Sequence, residues 1–414
     1  MMYKKEKRLV LIALLVLISW QKAFAIAGPF AKFHYFNLPD GGAVICGIDE
    51  KTRTARIANS VVTRYTDRGG VSFTKTIVQG AKGDVSLPAE VEVYFRDDLY
   101  DTKSYVGRFT LVALNGGAFQ GCGELTSITL PPTIKNIDDN AFGGCSNLIT
   151  VNLPATIDRI TLSCFNGCNS LRAVNIASGA GVKYHSFDGI LCQDDHVIFC
   201  PKDYQGTVRI PSKMRTINKE IFKDHNGITD VLIENGVQSI MDAAFKGCTL
   251  MSSVVIPSSV KTLGYESFQG CTMLETVQMS EGLTDLGARS FADCSSLKTI
   301  SIPAGIEYIR PGAFNNCFSL ERVTFANGNK SIGTDAFSFC SSLKEINLPA
   351  SMEVINEKAF MGCELLEKAV LNPQIKTLGR YAFCGCSNLT SINVPKQAKV
   401  YEDTFMECYS LKRP

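Results

Sequence analysis

The sequence predicts an α/β solenoid, a fold in which short coils of chain stack along one axis. Twelve phenylalanines recur every 23 residues, apart from one interval of 57 residues and a last one of 22. Eleven of the sixteen cysteines stand three residues after such a phenylalanine. A fixed period of this length indicates coils that bury their apolar side only by stacking on their neighbours. The repeat phenylalanines are Phe119, Phe142, Phe165, Phe222, Phe245, Phe268, Phe291, Phe314, Phe337, Phe360, Phe383 and Phe405.

The first 25 residues are typical of a secretory signal peptide. A basic start at Lys4 to Arg8 is followed by an apolar run from Leu9 to Ile18 and a small-residue site at Ala23 to Ala25. The apolar run is too short to span a bilayer, which takes about 20 residues. We therefore expect cleavage after Ala25 and no transmembrane segment in the mature chain. The mature chain is therefore expected to be secreted, held at the bacterial cell surface or placed in the periplasm.

The charge balance argues against nucleic acid as a partner. Without the five basic residues and one acidic residue of the signal, the chain carries 37 positive and 39 negative side chains. Such a balance gives no field that attracts a polyanion.

Residues 26–110 contain no repeat phenylalanine and are predicted to form a β-rich module. Strand-like runs at Ala43 to Ile48, Thr54 to Ile57 and Ala89 to Phe95 support this. An open solenoid end exposes core and strand edge, so we expect the module to cap the first coil.

One repeat, residues 125–147, shows how a coil is built. Leu125, Ile128 and Leu130 fit a short strand that ends at a proline, and stacked copies would form a parallel sheet. Ile134 and Ile137 predict a second, shorter column. Ala141-Phe142 is expected on a single helical turn opposite the sheet, and a glycine two residues after the phenylalanine allows a positive φ.

The repeat resembles that of a known family. The pattern L-x-x-I-x-[IL]-P-x-x-[IV]-x-x-[IL]-x-x-x-A-F-x-x-C is similar to the 23-residue leucine-rich repeat of BspA-like bacterial surface proteins. The predicted fold is thus a leucine-rich-repeat solenoid, a right-handed superhelix with the parallel sheet on its concave face. The resemblance implies a secreted or surface-attached protein that binds other macromolecules, host extracellular proteins among them. Leucine-rich repeats are expected over residues 111–183 and 212–414.

The cysteines follow the phenylalanines, and two states are open to them. Export into an oxidising compartment favours disulfides. However, stacked cysteines point the same way and are odd in number, and cysteine packs well as a small buried residue. We expect reduced, buried thiols, with His225 as a polar substitute in the one coil that lacks this cysteine.

Residues 184–211 are predicted to be a projecting β-hairpin inserted between the two repeat blocks. Its strands are Gly189 to Cys192 and His196 to Cys200, joined by a turn at Gln193 to Asp195. It is a candidate for a binding loop or a packing element. A zinc site built from Cys192, His196, Cys200 and His185 is the alternative, but the spacing matches no familiar zinc pattern.

The exposed face of the sheet is the candidate binding surface. Its columns carry hydroxyl, amide and charged side chains and almost no aromatic ones. A neighbouring column alternates in sign over five coils and predicts an ion-pair ladder: Glu275, Lys298, Glu321, Lys344 and Glu367. The predicted ligand-binding residues are Thr276, Thr299, Arg322, Glu345, Lys368, Thr324 and Asn347.

The function expected from these observations is adhesin-like binding of a protein or glycan of the host or of the envelope. The alternative is a structural protein of the envelope without a specific ligand. An enzyme is not expected, because none of the four histidines lies in a recognisable catalytic motif. No cofactor or metal is expected.

Overall fold

The structure is a computed structural model of the chain. It describes residues 33–37, 43–49, 51, 53–57, 61–64, 74–77, 81–97, 102–179 and 182–411. The predicted signal peptide lies outside these residues. The chain divides into two compact units, Met1–Ser146 with Thr156–Cys168, and Asn147–Ala155 with Asn169–Pro414. We call them the first and the second unit.

Short strands make up nearly all of the regular structure. The strands before the first repeat are β1 Phe33–Asn37, β2 Ala43–Asp49, β3 Thr54–Ile57, β4 Val61–Arg64, β5 Thr74–Ile77, β6 Gly83–Ser86, β7 Glu90–Asp97 and β8 Thr102–Leu114. The next are β9 Leu125–Thr129, β10 Asn136–Ile137, β11 Thr150–Leu153, β12 Arg159–Ile160, β13 Ala173–Ile176, β14 Tyr184–Phe187, β15 Ile190–Gln193 and β16 His196–Phe199.

From Gly206 onward each coil carries a main strand of two to six residues, and most also carry a second strand of two residues. These are β17 Gly206–Ile210, β18 Thr216–Ile217, β19 Ile228–Ile233, β20 Ser239–Ile240, β21 Ser253–Ile256, β22 Thr262–Leu263, β23 Thr276–Met279, β24 Asp285–Leu286, β25 Thr299–Ile302, β26 Tyr308–Ile309, β27 Arg322–Phe325, β28 Ser331–Ile332, β29 Glu345–Asn347, β30 Val354–Ile355, β31 Lys368–Val370, β32 Thr377–Leu378 and β33 Ser391–Ile392.

In the first unit, five strands close into a barrel. β1 pairs with β2, β2 with β3, β3 with β8, β8 with β7, and β7 again with β1. All of these pairs are antiparallel except β3 with β8, which is parallel. The long strand β8 also pairs with β10 of the first coil, and β6 pairs with β9. The residues before the repeats thus supply strands to the same sheets as the first coil.

In the second unit, the coils form a β-solenoid of parallel sheets. The main strands make a nine-stranded sheet from β17 to β33. The second strands extend the sheet of β14, β15 and β16 as β18-β20-β22-β24, and a separate sheet continues as β26-β28-β30-β32. The repeat phenylalanines stack between these sheets, with ring centroids 4.9 to 5.7 Å apart and rings within 16° of parallel. The predicted period and core are therefore confirmed.

The predicted helical turns are wrong, and the fold is β rather than α/β. Among the described residues the structure has one helix, the 3-10 turn η1 at Leu162–Phe165. In most coils the residue two before the phenylalanine has a positive φ, for example 52° at Ala243 and 55° at Arg289. An α-helix needs a φ near −63°. The N–H of Phe245 instead donates to the carbonyl of Ser267 in the next coil, at 2.8 Å.

The glycine position after the phenylalanine behaves as predicted, and one of its two exceptions is explained. Phe339 and Glu407 replace this glycine and both have a φ of 60°. The ring of Phe339 lies directly over Gly362 of the next coil, where a Cβ would come within 2.6 Å of its Cδ1 atom. A bulky residue is thus accepted in one coil because the next coil has none.

The inserted hairpin is part of the core and does not project. β15 pairs antiparallel with β14 and with β16, and β16 pairs parallel with β18 of the next coil. Ile190, Cys192 and Val197 are fully buried and belong to the same core as the repeat phenylalanines. These apolar side chains drive the insertion into the stack, since exposing them would cost burial energy.

Candidate functional site

The exposed side of the nine-stranded sheet is the candidate binding surface. Side chains alternate between its two faces, as in any strand. Val277, Ile300 and Val323 point into the core and are at most 9% exposed. The residues on either side of each are exposed in β25 and β27.

The strand register brings the predicted binding residues into two columns. In the first, Thr276 lies opposite Thr299, which lies opposite Arg322. Glu345 lies opposite Arg322 on one side and Lys368 on the other. The second column holds Thr324 and Asn347. All seven predicted residues, Thr276, Thr299, Arg322, Glu345, Lys368, Thr324 and Asn347, are exposed and lie on five successive strands.

The predicted ion-pair ladder forms as separate pairs. The Nζ atom of Lys298 lies 2.7 Å from Oε2 of Glu275, and that of Lys344 lies 3.1 Å from Oε2 of Glu321. Each lysine thus contacts the glutamate of the preceding coil. The next column differs, because Arg322, Glu345 and Lys368 form no ion pair with one another in the part of the chain that the structure describes, although they are neighbours in register.

A second charged column, formed by the residues directly before the two-residue strands, was not predicted. Lys330 lies 2.9 Å from Glu307, and Lys376 lies 2.6 Å from Glu353. These residues also recur every 23 positions, so the sequence contained the signal. Their charges alternate in sign along the column, as those of Glu275, Lys298, Glu321 and Lys344 do.

An apolar pair interrupts the polar face near its start. Leu232 and Val255 lie opposite each other on β19 and β21. They are 44% and 47% exposed. This column is therefore apolar at β19 and β21, whereas the column beside it is charged from β27 to β31.

The cysteine ladder is hydrogen-bonded. Ten repeat cysteines donate their thiol hydrogen to the carbonyl of the phenylalanine in the preceding coil, at 3.0 to 3.3 Å. Cys271 and Cys294, for example, contact the carbonyls of Phe245 and Phe268. This arrangement supports the prediction of buried thiols, since the sulfur must keep its proton to donate.

His225 occupies the cysteine position of its coil and makes an equivalent contact. Its Nε2 atom lies 3.4 Å from the carbonyl oxygen of Cys200, and its Nδ1 atom lies 3.1 Å from that of Lys223. It is buried. The imidazole thus takes over the bond to the preceding turn of chain, as predicted for a polar substitute.

The chemistry available to the cysteines and histidines is limited. Burial raises the pKa of Cys192 and of Cys248 to about 12, so neither is a ready nucleophile. His196 contacts Asp195 at 2.6 Å. Within the described ranges, no three metal-binding side chains come together, including those of the considered zinc site. No helix of the described residues is long and apolar enough to cross a membrane.

A model of a known repeat family matches the chain. The family model described as "BspA type Leucine rich repeat region (6 copies)" matches residues 102–201, 195–321 and 307–413. No curated protein matches the chain in sequence.

Solved structures with the same kind of repeat are similar to the chain. A leucine-rich repeat protein from Bacteroides ovatus ATCC 8483 is 24% identical, with a TM-score of 0.56 over 86% of this chain and 98% of that one. A leucine rich cell surface protein from Faecalibacterium prausnitzii A2-165 is 18% identical, with a TM-score of 0.45 over 86% and 93%. The first of these shows the leucine-rich-repeat fold. With the family model matching most of its length, the chain belongs to the BspA-type leucine-rich repeat family.

Proposed function

We propose that the protein is an exported or cell-surface protein that binds a host or envelope macromolecule, a protein or a glycan, without catalysing a reaction. The proposed contact surface is the exposed face of the nine-stranded sheet, taken as the concave side of a right-handed superhelix. The residues before the repeats act as its N-terminal cap. Membership of the BspA-type family and the signal-like residues 1–25 support export.

The observation that carries this proposal is the difference between two adjacent charged columns. In the first of them, Lys298 pairs with Glu275 and Lys344 pairs with Glu321, so these charges are satisfied within the column. The column beside it presents Arg322, Glu345 and Lys368 in register without such pairs in the described part of the chain. Unpaired exposed charges contribute little to folding, whereas they steer and orient a partner.

A catalytic role has little support from the residues that could provide one. The repeat thiols donate to carbonyl groups, and His225 contacts two carbonyl oxygens in the core. A nucleophile needs an adjacent general base within hydrogen-bond reach. Binding by an extended surface fits these side chains better.

The test is binding of the mature chain, residues 26–414, to an array of extracellular matrix proteins, serum proteins and glycans. The variant Arg322→Ala, Glu345→Ala, Lys368→Ala should bind the captured ligand at least tenfold more weakly. Its melting temperature should stay within about 2 °C of the unaltered chain, because surface substitutions change stability little.

A matched control exists in the same three coils. Lys330→Ala, Glu353→Ala, Lys376→Ala removes the same charges, each eight residues further along. It should leave binding unchanged. Equal weakening by both variants would point to nonspecific charge attraction. Absence of saturable binding to any probe at micromolar concentration would favour the structural envelope role instead.

A further inference from the structure

The β7–β8 ribbon of the first unit carries a pair of tyrosines on its outer face. Tyr94 and Tyr105 are cross-strand partners. Their ring centroids are 5.7 Å apart at an interplanar angle of 64°, an edge-to-face contact. Tyr105 is 57% exposed. The strands of the nine-stranded sheet, β17 to β33, which the structure describes throughout, carry no aromatic side chain on the exposed face of that sheet, so this ribbon is the more aromatic of the two surfaces.

A β-bulge puts Tyr105 on this face. Val93 pairs with Gly107 and Tyr94 with Tyr105, so Val106 has no partner in the ladder. Tyr105 and Arg108 are three positions apart and would face opposite sides of a regular strand. The extra residue brings both to the outside. Bulges that re-aim a side chain are common beside binding sites.

The inner side of the same ribbon is a packed core. Val91, Val93, Phe109 and Leu111 are at most 3% exposed. The guanidinium of Arg53 lies 4.4 Å from the ring centre of Phe109, and Gly107 leaves the space that it needs. The ribbon therefore holds its outer side chains on a rigid base.

Polar groups surround the tyrosine pair. The Nε and Nη2 atoms of Arg108 lie 3.4 and 3.3 Å from Oε1 of Glu92. The hydroxyl of Tyr94 donates to Oε2 of Glu92 at 3.3 Å. A guanidinium has five N–H donors and a carboxylate accepts about four hydrogen bonds, so both retain capacity for a ligand.

We propose that Glu92, Tyr94, Tyr105 and Arg108 form a binding site for a neutral saccharide unit. A sugar ring has an apolar C–H face and a rim of hydroxyls. The C–H face would pack on the exposed ring of Tyr105, whose π-face is electronegative. Neighbouring hydroxyls would bond to Arg108 and Glu92, which offer donors and acceptors side by side.

The charges favour a neutral ligand over an oligonucleotide. Glu92 sits at the centre of the cluster and pairs with Arg108. The pair presents no net positive charge, whereas affinity for nucleic acid depends on cations that neutralise phosphates. Five-stranded Greek-key barrels bind both oligosaccharides and oligonucleotides, so the barrel itself is compatible with either.

The site is independent of the proposed function, since it lies on other strands and in the other unit. It is tested with the mature chain, residues 26–414, on an array of neutral oligosaccharides, sialylated oligosaccharides and a single-stranded oligonucleotide. The best saccharide is then titrated by calorimetry. Tyr105→Ala should weaken its binding at least tenfold, while Tyr105→Phe, which keeps the ring, should bind within a factor of two. Arg108→Gln should also bind more weakly.

The controls separate this site from the solenoid face and from loss of fold. Tyr409→Ala removes another exposed tyrosine, 81% exposed in the last coil, and should change nothing. The melting temperature of Tyr105→Ala should stay within about 2 °C. Unchanged saccharide binding by Tyr105→Ala, or loss only in the Arg322, Glu345, Lys368 variant, would overturn the assignment. Binding of the oligonucleotide alone, or of no probe at millimolar concentration, would overturn it as well.

Discussion

The inner and outer columns of the second unit follow opposite rules. Inside, nine successive coils keep a phenylalanine ring in the stack, and eight of them keep a cysteine at the carbonyl contact. Outside, the column that contains Arg322, Glu345 and Lys368 changes its charge at each of the coils from Thr299 to Ser391. The core must repeat because each side chain packs against its own copy. The surface is released from that constraint, so individual strands can carry specific groups.

High pH should destabilise the core of the second unit, because it acts on the buried thiols. Burial raises the pKa of Cys248, in the thiol column, and of Cys192, in the inserted hairpin, to about 12, against an ordinary value of 9.0 in the unfolded chain. Above pH 9 the unfolded state loses thiol protons that the folded state keeps, so stability falls until about pH 12. The expected loss is roughly 1.4 kcal/mol per thiol for each pH unit. Urea unfolding at pH 7, 9 and 10 measures it.

Cys248→Ala provides the control for this effect. It lowers stability at pH 7 by the cost of a small cavity, but it should make the fall above pH 9 shallower by one thiol. A stability that stays flat between pH 7 and 10 would contradict the assignment of buried, protonated thiols.

Gly362→Ala tests the contact between neighbouring coils. The new methyl group would meet the ring of Phe339, and the φ of +71° is unfavourable for alanine. We expect a loss of about 2 to 3 kcal/mol in the free energy of unfolding. Gly270→Ala, with a φ of +73° and no atom closer than 3.9 Å, should lose only the conformational part, about 1 to 2 kcal/mol. Equal losses would show that the ring does not constrain the next coil.

Ser267→Ala should raise the stability of the folded protein. The Ser267 hydroxyl is buried and has no hydrogen-bond partner among the described residues. The same holds for the hydroxyl of Ser290. Most other coils have alanine at this position. Removing a buried, unsatisfied hydroxyl should stabilise the fold by about 1 kcal/mol. Ser338→Ala is the matched control, because the Ser338 hydroxyl donates a hydrogen bond to the carbonyl of Met361 at 3.3 Å. Its removal should therefore destabilise the fold. Thermal unfolding of the three proteins gives the sign of each change.

Lys298→Ala should have the smallest effect. Its ion pair with Glu275 is more than half exposed on both sides, and such pairs contribute well under 1 kcal/mol. Chemical denaturation in low and high salt should give nearly the same midpoint as for the unaltered chain. A loss above 1.5 kcal/mol would show that the outer columns help to hold the coils together.

The sequence predicted what is local and periodic. The ring stack, the thiol column and the columns of the exposed face follow from the 23-residue spacing alone, because each coil repeats the contacts of the last. The role of His225 was also predictable, since the residue replaces a cysteine at a known place.

Features that depend on contacts outside the repeat were missed. The positive φ before Ala244-Phe245 is imposed by bonds to the next coil, and the residues of one coil alone do not contain this information. The barrel rests on β3 pairing with β8, strands more than 40 residues apart. The bulge at Val106 leaves no mark in the hydrophobic pattern, so the pattern does not predict the tyrosine pair.

The alternating charges also govern how such a chain can change in length. Lys298 contacts Glu275, and Lys344 contacts Glu321, so two coils, or 46 residues, make one electrical unit. Gain or loss of a single coil by recombination would set glutamate against glutamate or lysine against lysine on adjacent strands, which is unfavourable. Exchange of coils in pairs avoids this penalty. We therefore expect length variants that differ between Glu275 and Glu367 to do so by even numbers of repeats.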